Sequence, residues 1–272
     1  MDRKMWKIWS RRASFPVLFC LVIILFVSVD VYAEDSKLLW LVNPSHFLDP
    51  AYQPSRLDYV CGYPIHPEAG CAFLEMQKAM KAEGIKNIRL QSAYRPYKYQ
   101  RALFNEKAGA LRSMGYKESE ARILAACSVA PPGASEHQLG LAVDVSVNGR
   151  LDAHFGSTEA GVWLQNNSDR YGFIVRYPKE KIEVTRIIYE PWHLRYVGLP
   201  HARYIREHNM CLEEYIRHVK EAGILVCWVD EGMYYKISFC DDEPETEGSM
   251  LYSSIGPGGD GFILWELREF LR

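Results

Sequence analysis

Hydrophobic and polar positions change period along the chain, and each change marks an element. Residues 71–83 place Phe73, Met76 and Met80 at helical spacing, and Gly84 follows as a stop. Ile88–Ser92 reads as a short strand, and Pro96 is suited to open a helix over 97–115. A second helical piece covers Glu118–Cys127 and ends at Pro131-Pro-Gly133. Strict alternation then puts Leu141, Val143, Val145 and Val147 on one side and Ala142, Asp144 and Ser146 on the other. That is a half-buried strand with Asp144 facing away from the valines. Gly140 marks the passage from loop to strand, or a close approach to the backbone.

Asn148-Gly149 predicts a tight hairpin turn, with a short returning strand from Arg150. Ser157 or Thr158 is expected to cap a helix through Ser168, with Val162, Trp163 and Leu164 inward. Phe173–Arg176 and Thr185–Tyr189 read as strands, the second leading to Glu190. A last helix is predicted over His201–Glu221, with His201, His208 and His218 on its solvated side. Beyond Gly223, three strands (224–229, 233–239, 262–267) form a small appended β-meander, separated by an acidic loop and a glycine-rich turn. That turn lacks the Gly-Lys-Ser/Thr ending of a phosphate loop. The lead-in, residues 34–70, is punctuated by prolines and reads as irregular chain over the domain surface.

One apolar run stands apart. Phe15–Val29 follows five basic residues and precedes Val31-Tyr-Ala33, the small-residue pattern of a signal-peptidase site. It is shorter than the ~20 residues of a full membrane span, so a cleaved signal and an uncleaved signal-anchor both remain open. The predicted organisation is 1–33 signal or anchor, 34–222 main domain, and 223–272 β extension. With 48% hydrophobic residues the chain carries a sizeable core. Residues 1–33 hold five basic and two acidic side chains, hence +3, and the whole chain is −2, which leaves −5 for the rest. A mildly acidic exported domain argues against nucleic acid as partner. Six cysteines lie beyond the signal: Cys61, Cys71, Cys127, Cys211, Cys227 and Cys240. An even number in an oxidising compartment allows disulfides, with Cys61 and Cys71 closing one small loop; free buried thiols are the alternative.

The chemistry concentrates in two stretches. Ser135-Glu-His-Gln-Leu-Gly-Leu-Ala-Val-Asp144 supplies His137 and Asp144, and Tyr189-Glu-Pro-Trp-His-Leu-Arg-Tyr-Val-Gly198 supplies Glu190 and His193. Two imidazoles and one carboxylate form a ligand set for a catalytic zinc, and a further glutamate beside the last ligand is the usual base. Each residue alone also has an ordinary reading: a surface histidine, a capping aspartate, a buried aromatic corner. No spacing argument brings residues 137 and 193 together.

These stretches resemble the VanY-type D-alanyl-D-alanine carboxypeptidases, in the zinc metallopeptidase superfamily that includes lysostaphin-like and hedgehog-like domains. The resemblance extends to Ser92-Ala-Tyr-Arg-Pro-Tyr-Lys-Tyr-Gln100 and Tyr171-Gly-Phe-Ile-Val-Arg-Tyr-Pro178 and covers about residues 40–217. It implies an α+β fold, a central antiparallel sheet with flanking helices. It implies His137, Asp144 and His193 as ligands of one zinc ion, Glu190 as catalytic base, and Arg95, Gln100 and Ser135 at the substrate's C-terminal end. One departure is visible: Thr185-Arg186 stands where the family usually has Thr-Gly.

The implied function is an extracytoplasmic D,D-carboxypeptidase. It acts on peptidoglycan stem peptides or lipid-linked precursors ending in D-Ala-D-Ala, and so bears on glycopeptide resistance. The protein would be secreted to the wall or anchored in the membrane. An L,D-carboxypeptidase acting on tetrapeptide stems suits the same motifs. A zinc-stabilised wall-binding module without catalysis is the non-enzyme alternative, and Glu190 speaks against it.

Overall fold

The computed structural model describes residues 37–245, 250–257 and 260–270. The predicted signal or anchor lies outside them, as do parts of the acidic loop and the glycine-rich turn. Among the described residues, no helix is long and apolar enough to cross a membrane.

The lead-in contains a small hairpin, β1 (Asp58–Val60) with β2 (Tyr63–Ile65). Helix α1 (Pro67–Ala82) follows, opened by its proline and burying Phe73, Met76 and Met80. Next come β3 (Arg89–Ser92), α2 (Tyr97–Ser113), α3 (Glu118–Ala126) and β4 (Ala142–Ser146). Then follow α4 (Glu159–Asn167), β5 (Phe173–Tyr177), the single turn α5 (Ile182–Thr185) and β6 (Glu190–Tyr196). Helices α6 (His201–Glu207) and α7 (Leu212–Ala222) lead to β7 (Ile224–Trp228), β8 (Met233–Cys240), β9 (Leu251–Ser254) and β10 (Phe262–Glu269).

Two four-stranded sheets organise these elements, both antiparallel in the pairings observed: β3-β4-β6-β5 and β7-β8-β10-β9. In the first, the valine face predicted for β4 packs as expected. Val143 and Val145 share a core with Leu194, Phe173 and the α1 side chains. Period two sends Asp144, His193, Arg195 and Arg176 to the opposite face. The second sheet buries Leu225, Cys227, Ile237, Ile263 and Trp265 against α6 and α7. A strip of the lead-in joins the two. Arg195 donates to the carbonyls of Leu38 and Trp40, while Leu39 N–H donates to Ser253 Oγ and Leu41 N–H to the Ile255 carbonyl.

Several expectations are corrected. After Gly149 the chain enters a 3-10 helix, Ala153–Ser157, not a returning strand; Asp152 caps it by accepting from His154 N–H. Thr158 caps α4 as expected, but Val162 faces solvent while Trp163 and Leu164 are buried. Thr185–Tyr189 is not a strand: α5 ends at Arg186, whose φ of +61° is the left-handed conformation that a glycine adopts without penalty. The predicted last helix breaks at Asn209 (φ +49°), and a fresh cap opens α7, with Cys211 N–H donating to the Glu214 carboxylate at 2.9 Å. His201 is fully buried, with Nδ1 2.6 Å from the Tyr215 hydroxyl and its ring edge-on to Trp265. The C-terminal sheet has a fourth strand, β9, and its order is not that of a meander. The six cysteines of the described residues, Cys61 and Cys71 among them, are free thiols.

Candidate metal centre and active-site cleft

The polar face of the first sheet assembles the site. Strand register sets Ser92, Asp144 and His193 side by side across β3, β4 and β6. This is what the sequence could not supply: neighbours 49 positions apart in the chain become cross-strand partners. His137 arrives from a 3-10 helix, Glu136–Leu139, that Gly140 terminates at φ +73°. A Cβ on Gly140 would stand 3.2 Å from the His66 amide nitrogen, which itself donates to the Gly140 carbonyl, so both the turn and the close approach require glycine.

His137, Asp144 and His193 are all buried, and one ligand atom from each lies within 4.8 Å of the others. His137 Nδ1 is 2.6 Å from the Ala93 carbonyl, an acceptor only, so Nδ1 carries the hydrogen and Nε2 presents its lone pair. That Nε2 has no hydrogen-bond partner and faces Asp144 Oδ2 at 3.2 Å. Asp144 Oδ1 is likewise without a hydrogen-bond partner, 3.1 Å from His193 Nδ1. Buried lone pairs converging in this way fit a cation between them. Two nitrogens and one carboxylate with an open side toward a cleft fit zinc in particular.

The electrostatics match that donor set at His137 and Asp144, while the carboxylates around His193 favour a positive charge at its own position. Burial pushes His137 down to about 4, with Arg95 adding to the effect, so its imidazole is neutral. Burial also opposes charge on Asp144, but the two adjacent histidines outweigh it and hold the carboxyl well below its ordinary value. At His193, burial is again overcome, here by hydrogen bonding to Asp144 and Glu136, and the imidazole is held up at about 9. Glu190 moves the other way from Asp144. Burial, reinforced by the Asp144 charge, raises it to about 7 against the pull of His193 and Arg95. A carboxyl near neutrality is poised both to take and to return a proton.

A cleft of about 510 Å³ opens over this group. Arg95, Ser135, Asp144, Glu190, Trp192 and His193 all line it. Arg95 donates from Nη1 to Ser92 Oγ at 3.2 Å and to Asp144 Oδ2 at 3.3 Å, while its Nε has no partner. Gln100 is buried and does not line the cleft; its amide donates to the Ala130 carbonyl at 2.7 Å and thereby fixes a segment that does.

The sequence reading missed Glu136, which stands between Ser135 and His137. It is fully buried, accepts from Arg176 Nε at 2.7 Å and lies 2.9 Å from Arg195 Nη1. Its second oxygen lies 3.7 Å from His193 Nε2. Burial opposes its charge, but the two arginines prevail and keep its carboxyl far below the ordinary range. A carboxylate behind a ligating histidine orients the ring and aims Nδ1 at the centre. Arg176 in turn forks onto Glu213 of α7 at 2.8 and 2.7 Å. The only local signal was position inside the motif; its partners come from β5, β6 and α7.

Comparison with known proteins agrees. The VanY family, D-alanyl-D-alanine carboxypeptidase, matches residues 63–199. The putative carboxypeptidase YodJ of Bacillus subtilis is 40% identical over 206 residues, covering 71% of this chain and 72% of that protein. A vancomycin-resistance D,D-pentapeptidase VanY solved with Zn(II) is 36% identical at a TM-score of 0.60, covering 67% of this chain and 99% of that one. VanYB solved with D-alanine-D-alanine is 37% identical at a TM-score of 0.60, covering 66% of this chain and 97% of that one. The buried His-Asp-His cluster beside the cleft, the family match and the likeness to a zinc-bound relative point the same way: this chain belongs to the VanY family of D-alanyl-D-alanine carboxypeptidases, zinc-dependent hydrolases.

Proposed function

We propose that this protein removes the terminal D-alanine from peptidoglycan stem pentapeptides outside the cytoplasm, with residues 1–33 directing export. The observation that carries the reading is the cleft itself, which is lined by Asp144 and His193 of the buried three-ligand cluster, by a base tuned to about 7 and by an arginine with an unpartnered nitrogen. His137, Asp144 and His193 hold the zinc. Bound zinc supplies Lewis acidity, polarising the scissile carbonyl and lowering a water's pKa to roughly 7. Glu190 takes the proton of the attacking water and delivers it to the departing amine. Arg95, with the Ser135 hydroxyl, receives the free C-terminal carboxylate, so the bond one residue inward meets the base. Gln100 acts one step back, through Ala130. Removing the last D-alanine also destroys the D-Ala-D-Ala end that vancomycin-type glycopeptides bind, which would lower sensitivity to them.

The test offers the zinc-loaded protein pentapeptide and tetrapeptide stems side by side. D-Alanine released from the pentapeptide, and lost in Glu190→Gln and on chelation, is the expected result. Release from the tetrapeptide alone would move the chain to L,D-carboxypeptidase chemistry. No release from either with zinc still bound would favour a binding module.

A further inference from the structure

The cleft extends well beyond the zinc cluster. Leu103, Glu106, Lys107 and Ala110 all line it. Their spacing of three, four and seven puts them on one face of α2. The neighbouring face, Phe104 and Ala108, packs with Ala125 of α3, so this wall is anchored rather than loose. Leu151, Ile187 and Ile188 line the same cleft. From Leu103 to Ala110 the helix rises about 10 Å.

The apolar residues suit a peptide lying along this wall, and the two charged side chains beside them are exposed. Further along the same helix, Arg112 is paired with Glu118 at 3.0 Å. Glu106 and Lys107 make no hydrogen bond or ion pair within the protein among the described residues. Adjacent positions on a helix do not face each other closely enough to neutralise one another. An acid and a base thus stand open, side by side, on the wall of a peptide-sized cleft.

The proposed substrate carries groups of matching charge. Once the terminal D-Ala-D-Ala bond is at Glu190, the preceding diamino residue begins within about 7 Å of the scissile carbonyl, at ~3.5 Å per extended residue. Its side chain carries an ammonium group on the order of 10 Å from that bond. We propose that Glu106 and Lys107 form a charge-reading subsite for this residue. Glu106 accepts hydrogen bonds from the side-chain ammonium. Lys107 takes the carboxylate when the side chain ends in an amino acid group, as in diaminopimelate. The chain therefore prefers a zwitterionic third residue over a lysine, and either over a neutral one. This rests on the D,D-carboxypeptidase reading above.

The test uses the zinc-loaded full chain and three pentapeptides identical except at the third residue: meso-diaminopimelate, lysine and Nε-acetyl-lysine. Each step of that series is expected to lower kcat/KM for D-alanine release about two- to fivefold, the size of one charge-assisted contact at an exposed wall. Glu106→Gln is expected to erase the preference for lysine over acetyl-lysine. Lys107→Gln is expected to erase the preference for diaminopimelate over lysine. Equal kcat/KM on all three by the wild type overturns the subsite and leaves the D,D reading standing, as does a variant that lowers all three by one factor. A lysine stem cleaved faster than the diaminopimelate stem overturns the role of Lys107. No D-alanine from any stem overturns the D,D reading and the subsite with it.

Discussion

The two four-stranded sheets are built alike and used differently. On the second sheet the inward face is apolar throughout β7, with Leu225 and Cys227 buried and Ile224, Val226 and Trp228 exposed. Burial there follows the two-residue period of the strand, since every residue of β7 is apolar, and its buried face stabilises as a core does. On the first sheet one face obeys the same rule, while the other buries Asp144, His193, Arg176 and Arg195 together with Glu136. Burying unpaired charges costs more than any apolar contact there returns, so every one of them is paired or aimed at the metal position. The difference shows where folding has been subordinated to chemistry: on the first sheet the buried charges gather around the metal position.

The largest effect that would sharpen this contrast is on rate. Glu190→Gln is expected to lower D-alanine release by about 10²- to 10⁴-fold, the usual contribution of a general base. Zinc content by elemental analysis should remain one ion per chain, since Glu190 lies outside the ligand set. Loss of the metal instead would make Glu190 part of the centre.

Glu136→Ala removes the carboxylate shared by two buried arginines. Urea unfolding is expected to show a loss of about 3–5 kcal/mol, because breaking a buried pair leaves an uncompensated charge. Chelator competition should report zinc held ~10- to 100-fold more weakly, through the freed His193 ring. Ile237→Ala is its counterpart on the second sheet, at a fully buried position. It is expected to cost about 2–5 kcal/mol and to leave zinc affinity alone. If Ile237→Ala weakened zinc as Glu136→Ala does, the two sheets would not be separable and the comparison would fail.

The smallest effect concerns pH. Burial pushes His201, between α6 and the second sheet, down to about 3. Its unfolded value is ~6.5, so below that pH the unfolded chain binds a proton that the folded chain refuses. Stability from this group is therefore complete above ~6.5 and is lost progressively as pH falls toward 3, about 2 kcal/mol of it by pH 5. Unfolding midpoints between pH 7 and 5 would show this, and His201→Asn should flatten the slope.

How much was legible follows from the range of each interaction. The alternation through residues 141–147 is local, and the β4 strand with its apolar and polar faces matches it. The helices over 67–82, 97–113 and 118–126 lie within a few residues of their predicted bounds because proline, glycine and periodicity mark their ends. Arg186 misled, since nothing in its side chain announces the left-handed conformation it adopts. The break at Asn209 did carry a signal, the Cys211–Glu214 spacing of a helix cap, but continuous apolar periodicity hid it. His201 looked solvated because a helix face reads as polar or apolar only when one knows what packs on it, and Trp265 lies 64 positions away.

By itself the sequence determined the reactive inventory, two histidines, an aspartate and a glutamate in two motifs and an arginine in a third stretch, along with the strand that turns Asp144 away from the core. These depend on residue type and short-range period. Only the tertiary structure decided which of them meet. The register that pairs Asp144 with His193, the turn at Gly140 that swings His137 over them, and the convergence of β5, β6 and α7 on Glu136 are set by backbone hydrogen bonds and packing between distant segments. Those interactions leave no local trace in the chain, because each is a property of two surfaces rather than of one stretch.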